Sequence, residues 1–239
     1  MFWLYPNIAN HSKAIDDLVA AMPEGFGKAF GLNGFGSAEA FISGEYYGLI
    51  PVLLLSILCV QLSTRLMAKL VDQGSMAYLL SAPTTRGKVA FTQAAVLTTG
   101  LLLIVAVTTL AGFAGNAWFL GAEYDFDTAK FLQMNAAAFL LFFALGGISF
   151  LVSALSNDEK KANGISGTCT FGFFSLDLAG KFSDNVGWLR DLSLFSLYRP
   201  GDIINGSADS EFSFIVLAAV GFASFGAAVA LFRKRDLPL

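Results

Sequence analysis

Residues 72–86, Asp-Gln-Gly-Ser-Met-Ala-Tyr-Leu-Leu-Ser-Ala-Pro-Thr-Thr-Arg, separate a pair of long apolar segments with groups suited to recognition rather than to bond-making. Met76, Leu79 and Leu80 stand at i, i+3 and i+4, one face of a short helix. Asp72 or Ser75 can cap its start, where a carboxylate also suits the helix dipole. Gly74 frees the chain to turn sharply out of the preceding helix. Pro83 ends the short helix and suits the first turn of the next; Arg86 and Lys88 then fall at headgroup level. The expected product is a short helix at a membrane exit, presenting an apolar face that lipid or the groove of a partner protein would cover.

Bond-making chemistry has little to work with. No Gly-x-x-x-x-Gly-Lys-Ser/Thr loop occurs. Gly112-Phe-Ala-Gly115 and Gly164-Ile-Ser-Gly167 sit in apolar runs, where glycine lets helix backbones approach. His11 is the only histidine, so metal sites built on paired histidines are excluded. Glu123, Asp125 and Asp127 miss the EF-hand spacing and read as solvated charge. No nucleophile elbow or triad is visible. These residues offer no candidate catalytic residue or metal site. Cys59 and Cys169 lie in apolar runs and read as small buried hydrophobes rather than as a disulfide. Gln61, Ser63, Thr64, Thr98, Thr99, Thr108, Thr109, Gln133 and Asn135 add polar glue inside spans, worth about 0.6 kcal/mol each. Asp177 is costlier, since an ionised aspartate at mid-bilayer costs at least about 2.5 kcal/mol. Either it reaches the headgroups or it makes a polar contact in a transport path.

The elements that position these residues follow from composition. The 239 residues are 55% hydrophobic and 14% charged, where a soluble domain carries roughly a quarter charged residues. Mean hydropathy is +0.64, and the acidic pI of 5.1 argues against nucleic acid. The expectation is an all-α integral membrane protein, a bundle of about five transmembrane helices, since a bilayer core takes about 20 helical residues. The spans are read at 46–68, 89–114, 131–155, 162–180 and 212–232, inside a transmembrane domain of residues 46–239. Residues 1–45 form an outer N-terminal segment. Within it, 12–32 carries Ile15, Leu18, Val19 and Met22 at helical spacing, either an amphipathic helix on the membrane or a loop helix packed on the bundle. Residues 181–211, too apolar for a free loop and too interrupted to span, read as an outer interfacial or re-entrant helical pair. Tyr198-Arg199-Pro200-Gly201-Asp202 supplies its turn chemistry.

Charge sets the expected orientation. The side with 69–88, 156–161 and 233–239, counted with Arg65, holds nine cations against four acids; the other holds six cations against fourteen acids. Lysine and arginine favour cytoplasmic loops, so the Arg233-Lys234-Arg235 end is read as cytoplasmic. Five spans then put the start outside, and Phe2, Trp3 and Tyr5 there resemble the interfacial end of a further helix that precedes this chain.

The 72–86 stretch resembles the acid-x-Gly-x-x-x-x-Leu-Leu-x-x-Pro-x-x-Arg loop that follows an early span in the membrane subunits of type-two ABC exporters. The short polar loop 156–164, the interrupted segment before the last span and the basic "FRKRD" end are similar in outline. The likeness covers most of the chain, which shows five spans where that family has six, the first being absent. The resemblance implies a permease without catalysis of its own. A separate ATP-binding subunit would bind the ATP and dock at Asp72, Gly74, Met76, Tyr78, Leu79, Leu80, Pro83 and Arg86. It also implies a second permease subunit, identical or related, a plasma-membrane location, and alternating access that exports an unidentified substrate. The alternatives are a secondary transporter, which would need charges or broken helices at the membrane midplane, and a membrane scaffold without an ATPase partner.

Overall fold

The structure is a computed structural model of the 239-residue chain and describes residues 17, 21, 44, 47–81, 83–120, 126–182, 184–206 and 210–236. The expected amphipathic helix at 12–32, almost all of 1–45, and His11, Glu123 and Asp125 lie outside the described residues.

Every described element is helical. The long helices are α1 (Leu49–Leu66), α4 (Arg86–Gly115), α5 (Thr128–Leu155), α6 (Glu159–Phe182) and α8 (Ser210–Lys234). Between them lie α2 (Ala68–Asp72), α3 (Ser75–Ser81), 3-10 turns at Asp184–Leu192 and Leu194–Leu197, and α7 (Pro200–Asn205). A π-helical turn, Asn116–Leu120, extends α4. Among the described residues four helices are long and apolar enough to cross a membrane: Pro51–Asp72, Arg86–Phe119, Thr128–Leu155 and Glu211–Lys234. Helix α6 occupies the stretch read as a fourth span, but Asn163, Asp177 and its serines, threonines and glycines leave it too polar for that set.

The chain divides into two units, each fed by segments of the same long helices. The first comprises Met1–Leu53, Ile104–Ala138 and Phe173–Ser213. Phe131 is its hub, with ring centroids 6.3 Å from Tyr47, 5.5 Å from Phe113 and 5.2 Å from Phe126. A Cβ on Gly112 would stand 2.3 Å from the Phe131 ring, so this glycine admits a side chain, not the helix backbone the sequence suggested.

The second unit comprises Leu54–Leu103, Phe139–Gly172 and Phe214–Leu239. Here α5 and α8 cross at bare backbone: a Cβ on Gly147 would lie 3.1 Å from the Gly221 carbonyl oxygen. Gly147 and Gly221 are the close approach of small residues that membrane helices use, whereas Gly164 and Gly167 of α6 have nothing within 4 Å. Helix α1 is laced to α5 in matching register: Cys59 Sγ donates to the Phe142 carbonyl (3.7 Å) and Ser63 Oγ to the Gly146 carbonyl (3.2 Å). Cys59 is fully buried, but Cys169, expected inside, is exposed, and both are free. Thr98, Thr99 and Asn135 bond carbonyls four residues back in their own helices, whereas Ser63 joins two helices.

Candidate functional site

The exit from α1 is set by a kink. Helix α1 stops at Leu66, Met67 takes φ −125° and ψ −73°, and α2 begins at Ala68. The cause is a side chain inserted into the backbone ladder. Ser153 Oγ of α5 accepts from the Ala68 N–H at 3.0 Å and donates to the Ser63 carbonyl at 2.9 Å. Ser153 and Ala68 are both fully buried, so the hydroxyl satisfies groups that have no water to turn to.

Past α2 the chain reverses at Gly74, whose φ of +70° is the left-handed conformation glycine adopts without strain. Helix α3 follows and is fastened inward. Met76 is fully buried beside Met67, Val71, Phe150 and Phe232, and Leu80 packs against that cluster. The apolar face expected to be presented outward is thus divided. Met76 and Leu80 anchor the helix, while Tyr78 (83% exposed) and Leu79 (40%) remain at the surface. Periodicity placed Met76, Leu79 and Leu80 on one face but carried no sign for in or out, because core and lipid are both apolar.

The polar ends are wired differently from the sequence expectation as well. Asp72 Oδ2 accepts from the Glu159 N–H (3.2 Å), so it caps α6 rather than α3, and Lys69 pairs with Glu159 at 3.4 Å. Asp158 adds a second cap to α6, accepting from the Lys161 N–H at 2.9 Å. That hydrogen bond is the main cause that holds the Asp158 carboxyl below its ordinary pKa. At the end of α3, Ser81 Oγ and Thr84 Oγ1 donate to the Tyr78 and Leu79 carbonyls. Pro83 is exposed in the linker and does not open α4, which starts at Arg86. Thr85 caps it instead, Oγ1 accepting from the Lys88 N–H at 3.3 Å.

Arg86 Nη1 donates to the Arg235 carbonyl. Arg235 in turn donates to the Ala154 and Ser156 carbonyls and to Asn157 Oδ1, a cation on the last carbonyls of α5. Partial burial lowers the Arg235 pKa from its usual value, and a guanidinium stays charged regardless. Asp72, Gly74, Tyr78, Leu79, Pro83 and Arg86 therefore stand in one surface, anchored from below by Met76 and Leu80, with the starts of α4 and α6 and the ends of α5 and α8. Ser153 and Arg235 are joined to it without having been singled out. Their only signals were a hydroxyl inside an apolar run and a place in a basic cluster.

Asp177 belongs to the other unit. It is buried and paired twice, 2.6 Å from Lys181 Nζ and 3.3 Å from Arg190 Nε. Gly180 makes room for the arginine, since a Cβ there would stand 2.4 Å from Arg190 Cγ. The Arg190 pair ties the 3-10 turn 184–192 to α6, and both pairs account for the buried charge. Ser193 strengthens the same connection by donating to the Phe173 carbonyl at 2.6 Å. The residues read as a turn start a helix: Pro200 opens α7, Arg199 Nε donates to the Ser196 carbonyl at 2.7 Å, and Gly206 at φ +69° ends it. No group of three or more His, Cys, Asp or Glu among the described residues could hold a metal.

An all-helical chain with four helices of membrane-crossing length and apolarity is a multi-pass integral membrane protein. The chain belongs to the ABC-2 family of transporters: the family model described as "ABC-2 family transporter protein" matches residues 4–237. It is a permease of the type-two ABC class. No curated protein and no solved structure matches it.

Proposed function

We propose that this permease is driven by a separate ATP-binding subunit docking on α3 and its flanks, residues 72–86, and that it exports its substrate by alternating access. The carrying observation is the way α3 is mounted: Met76 is sunk in the core while Tyr78 and Leu79 face out. Exposed apolar side chains on a firmly held short helix suit a partner's groove. The basic ends favour the cytoplasmic side of the plasma membrane. ATP would be bound by the partner, with no cofactor in this chain. A second permease subunit, identical or related, would complete the pathway, and lipid would cover the outward surfaces of α4 and α8, whose apolar windows are only 17% and 28% buried.

Co-expression with a candidate ABC ATP-binding subunit tests the docking. Tyr78→Glu with Leu79→Glu is expected to abolish co-purification while membrane insertion and thermal stability hold. Normal retention of the ATPase by that variant removes the assignment.

A further inference from the structure

The starts and ends of two membrane-spanning helices leave a feature that docking on α3 does not use. Along the first turns of α4 and the last turns of α8 runs an open groove of about 590 Å³, lined by Thr85, Gly87, Lys88, Phe91, Val229 and Arg233, among others. All of it lies in one unit. Its upper wall is cationic. Lys88 and Arg233 are both exposed, and neither makes an ion pair among the described residues. Segments 85–92 and 229–236 together carry five cations and a single acid, Asp236. The Arg233 stem lies over the helix start, with Cδ 3.7 Å from where a Cβ on Gly87 would be, an ordinary packing contact. Thr85 accepts from the Lys88 N–H through its hydroxyl oxygen, so its own proton can be donated. The positive end of a 30-residue helix points the same way. The floor is apolar: Phe91, 67% exposed, and Val229 continue the groove along the spans.

We propose that this groove is a binding site for an anionic phospholipid. The phosphate would sit between Lys88, Arg233 and the Thr85 hydroxyl, and an acyl chain along Phe91 and Val229. Cations above an apolar floor, at the boundary of two spans, match a headgroup above its chain. A free anion would leave Phe91 without a partner, and an acidic protein segment would have to follow the groove down into the bilayer. Juxtamembrane cations attract anionic lipid with about 1 kcal/mol each, so removing both should weaken retention about thirty-fold.

Native mass spectrometry of the detergent-purified protein, titrated with phosphatidylglycerol and phosphatidylcholine, reads this directly. The unmodified chain is expected to retain phosphatidylglycerol preferentially. Lys88→Gln with Arg233→Gln should lose that preference about thirty-fold, Lys88→Arg with Arg233→Lys should keep it, and Lys130→Gln, in the other unit, should not alter it. Photolabelling of the unmodified protein with a diazirine-tailed phosphatidylglycerol should mark the peptides holding Phe91 and Val229, a readout independent of how the variants fold. Equal retention by the double glutamine variant, an equal loss in Lys130→Gln, or labelling elsewhere overturns the site. Displacement of the lipid by millimolar inorganic phosphate would make it a free-anion site and likewise overturns the proposal. The docking reading is untouched by any of these results, because no ATPase is present.

Discussion

Ser153→Ala is the sharpest perturbation of the surface around α3. The hydroxyl makes two bonds, from the Ala68 N–H at 3.0 Å and to the Ser63 carbonyl at 2.9 Å, in a fully buried setting. Hydrogen bonds between membrane helices average about 0.6 kcal/mol, so two of them set a floor near 1 kcal/mol. Stranding a buried N–H costs about 1–3 kcal/mol, which sets the ceiling. A loss of about 2 kcal/mol is expected, and for a chain of this size that lowers the melting temperature by about 4–8 °C. Thermal unfolding in detergent measures it, and amide exchange at Ala68 should accelerate in parallel. Because the kink leads directly through α2 to α3, stimulation of the partner ATPase should also fall, if the docking assignment holds. A variant that melts within a degree of the parent, with Ala68 still slow to exchange, would show that the kink has another cause.

Three further outcomes follow from individual contacts. Gly221→Ala should destabilise by about 1–3 kcal/mol through overpacking, because its Cβ would stand 2.3 Å from Phe143, whereas Gly164→Ala, with nothing within 4 Å, should gain up to about 1 kcal/mol of helix propensity; paired melts of the two variants decide it. Asp177→Ala should cost about 2 kcal/mol, less than the roughly 3–5 of a fully buried pair, because Lys181 and Arg190 are partly exposed; a double-mutant cycle with Arg190→Ala should return a coupling energy, and simple additivity would sink the pairing. The depressed pKa of Asp158 means that its cap contributes fully above the unfolded carboxylate value near pH 4 and is lost as pH falls through the lower folded value; Asp158→Asn should flatten the acid limb of melting temperature against pH, and an unchanged limb would contradict it.

What was legible in the chain was what depends on neighbours in sequence. Apolar runs announced the long helices, and Gly74 announced its turn. Asp72 was legible as a cap, but not as the cap of α6, because the N–H it accepts from lies 87 residues away. The kink at Met67 had no local signal either, since "LSTRLMAKL" holds no proline or glycine; its cause is a hydroxyl 85 residues on. Asp177 announced its cost but not Arg190, because the arginine's approach depends on a glycine three residues further along α6. In each case the missing term is a long-range partner.

Those long-range partners also change what α3 can do. A helix held only by its two linkers would absorb a push by bending at Gly74 and Pro83. This one is held by Met76 and Leu80 in the core, and its flanks are held by Asp72 on the start of α6 and by Arg86 on Arg235, which clasps the end of α5. Force applied at Tyr78 and Leu79 therefore has no soft joint to spend itself on, and is shared by the ends of several long helices at once. Cutting the ties without touching the docking residues should separate binding from work. Arg235→Ala, which releases the end of α5, is expected to keep the ATPase bound but lower transport-coupled hydrolysis. Loss of binding in that variant would mean that the ties build the docking surface itself, and full coupling would mean that α3 acts through α1 alone.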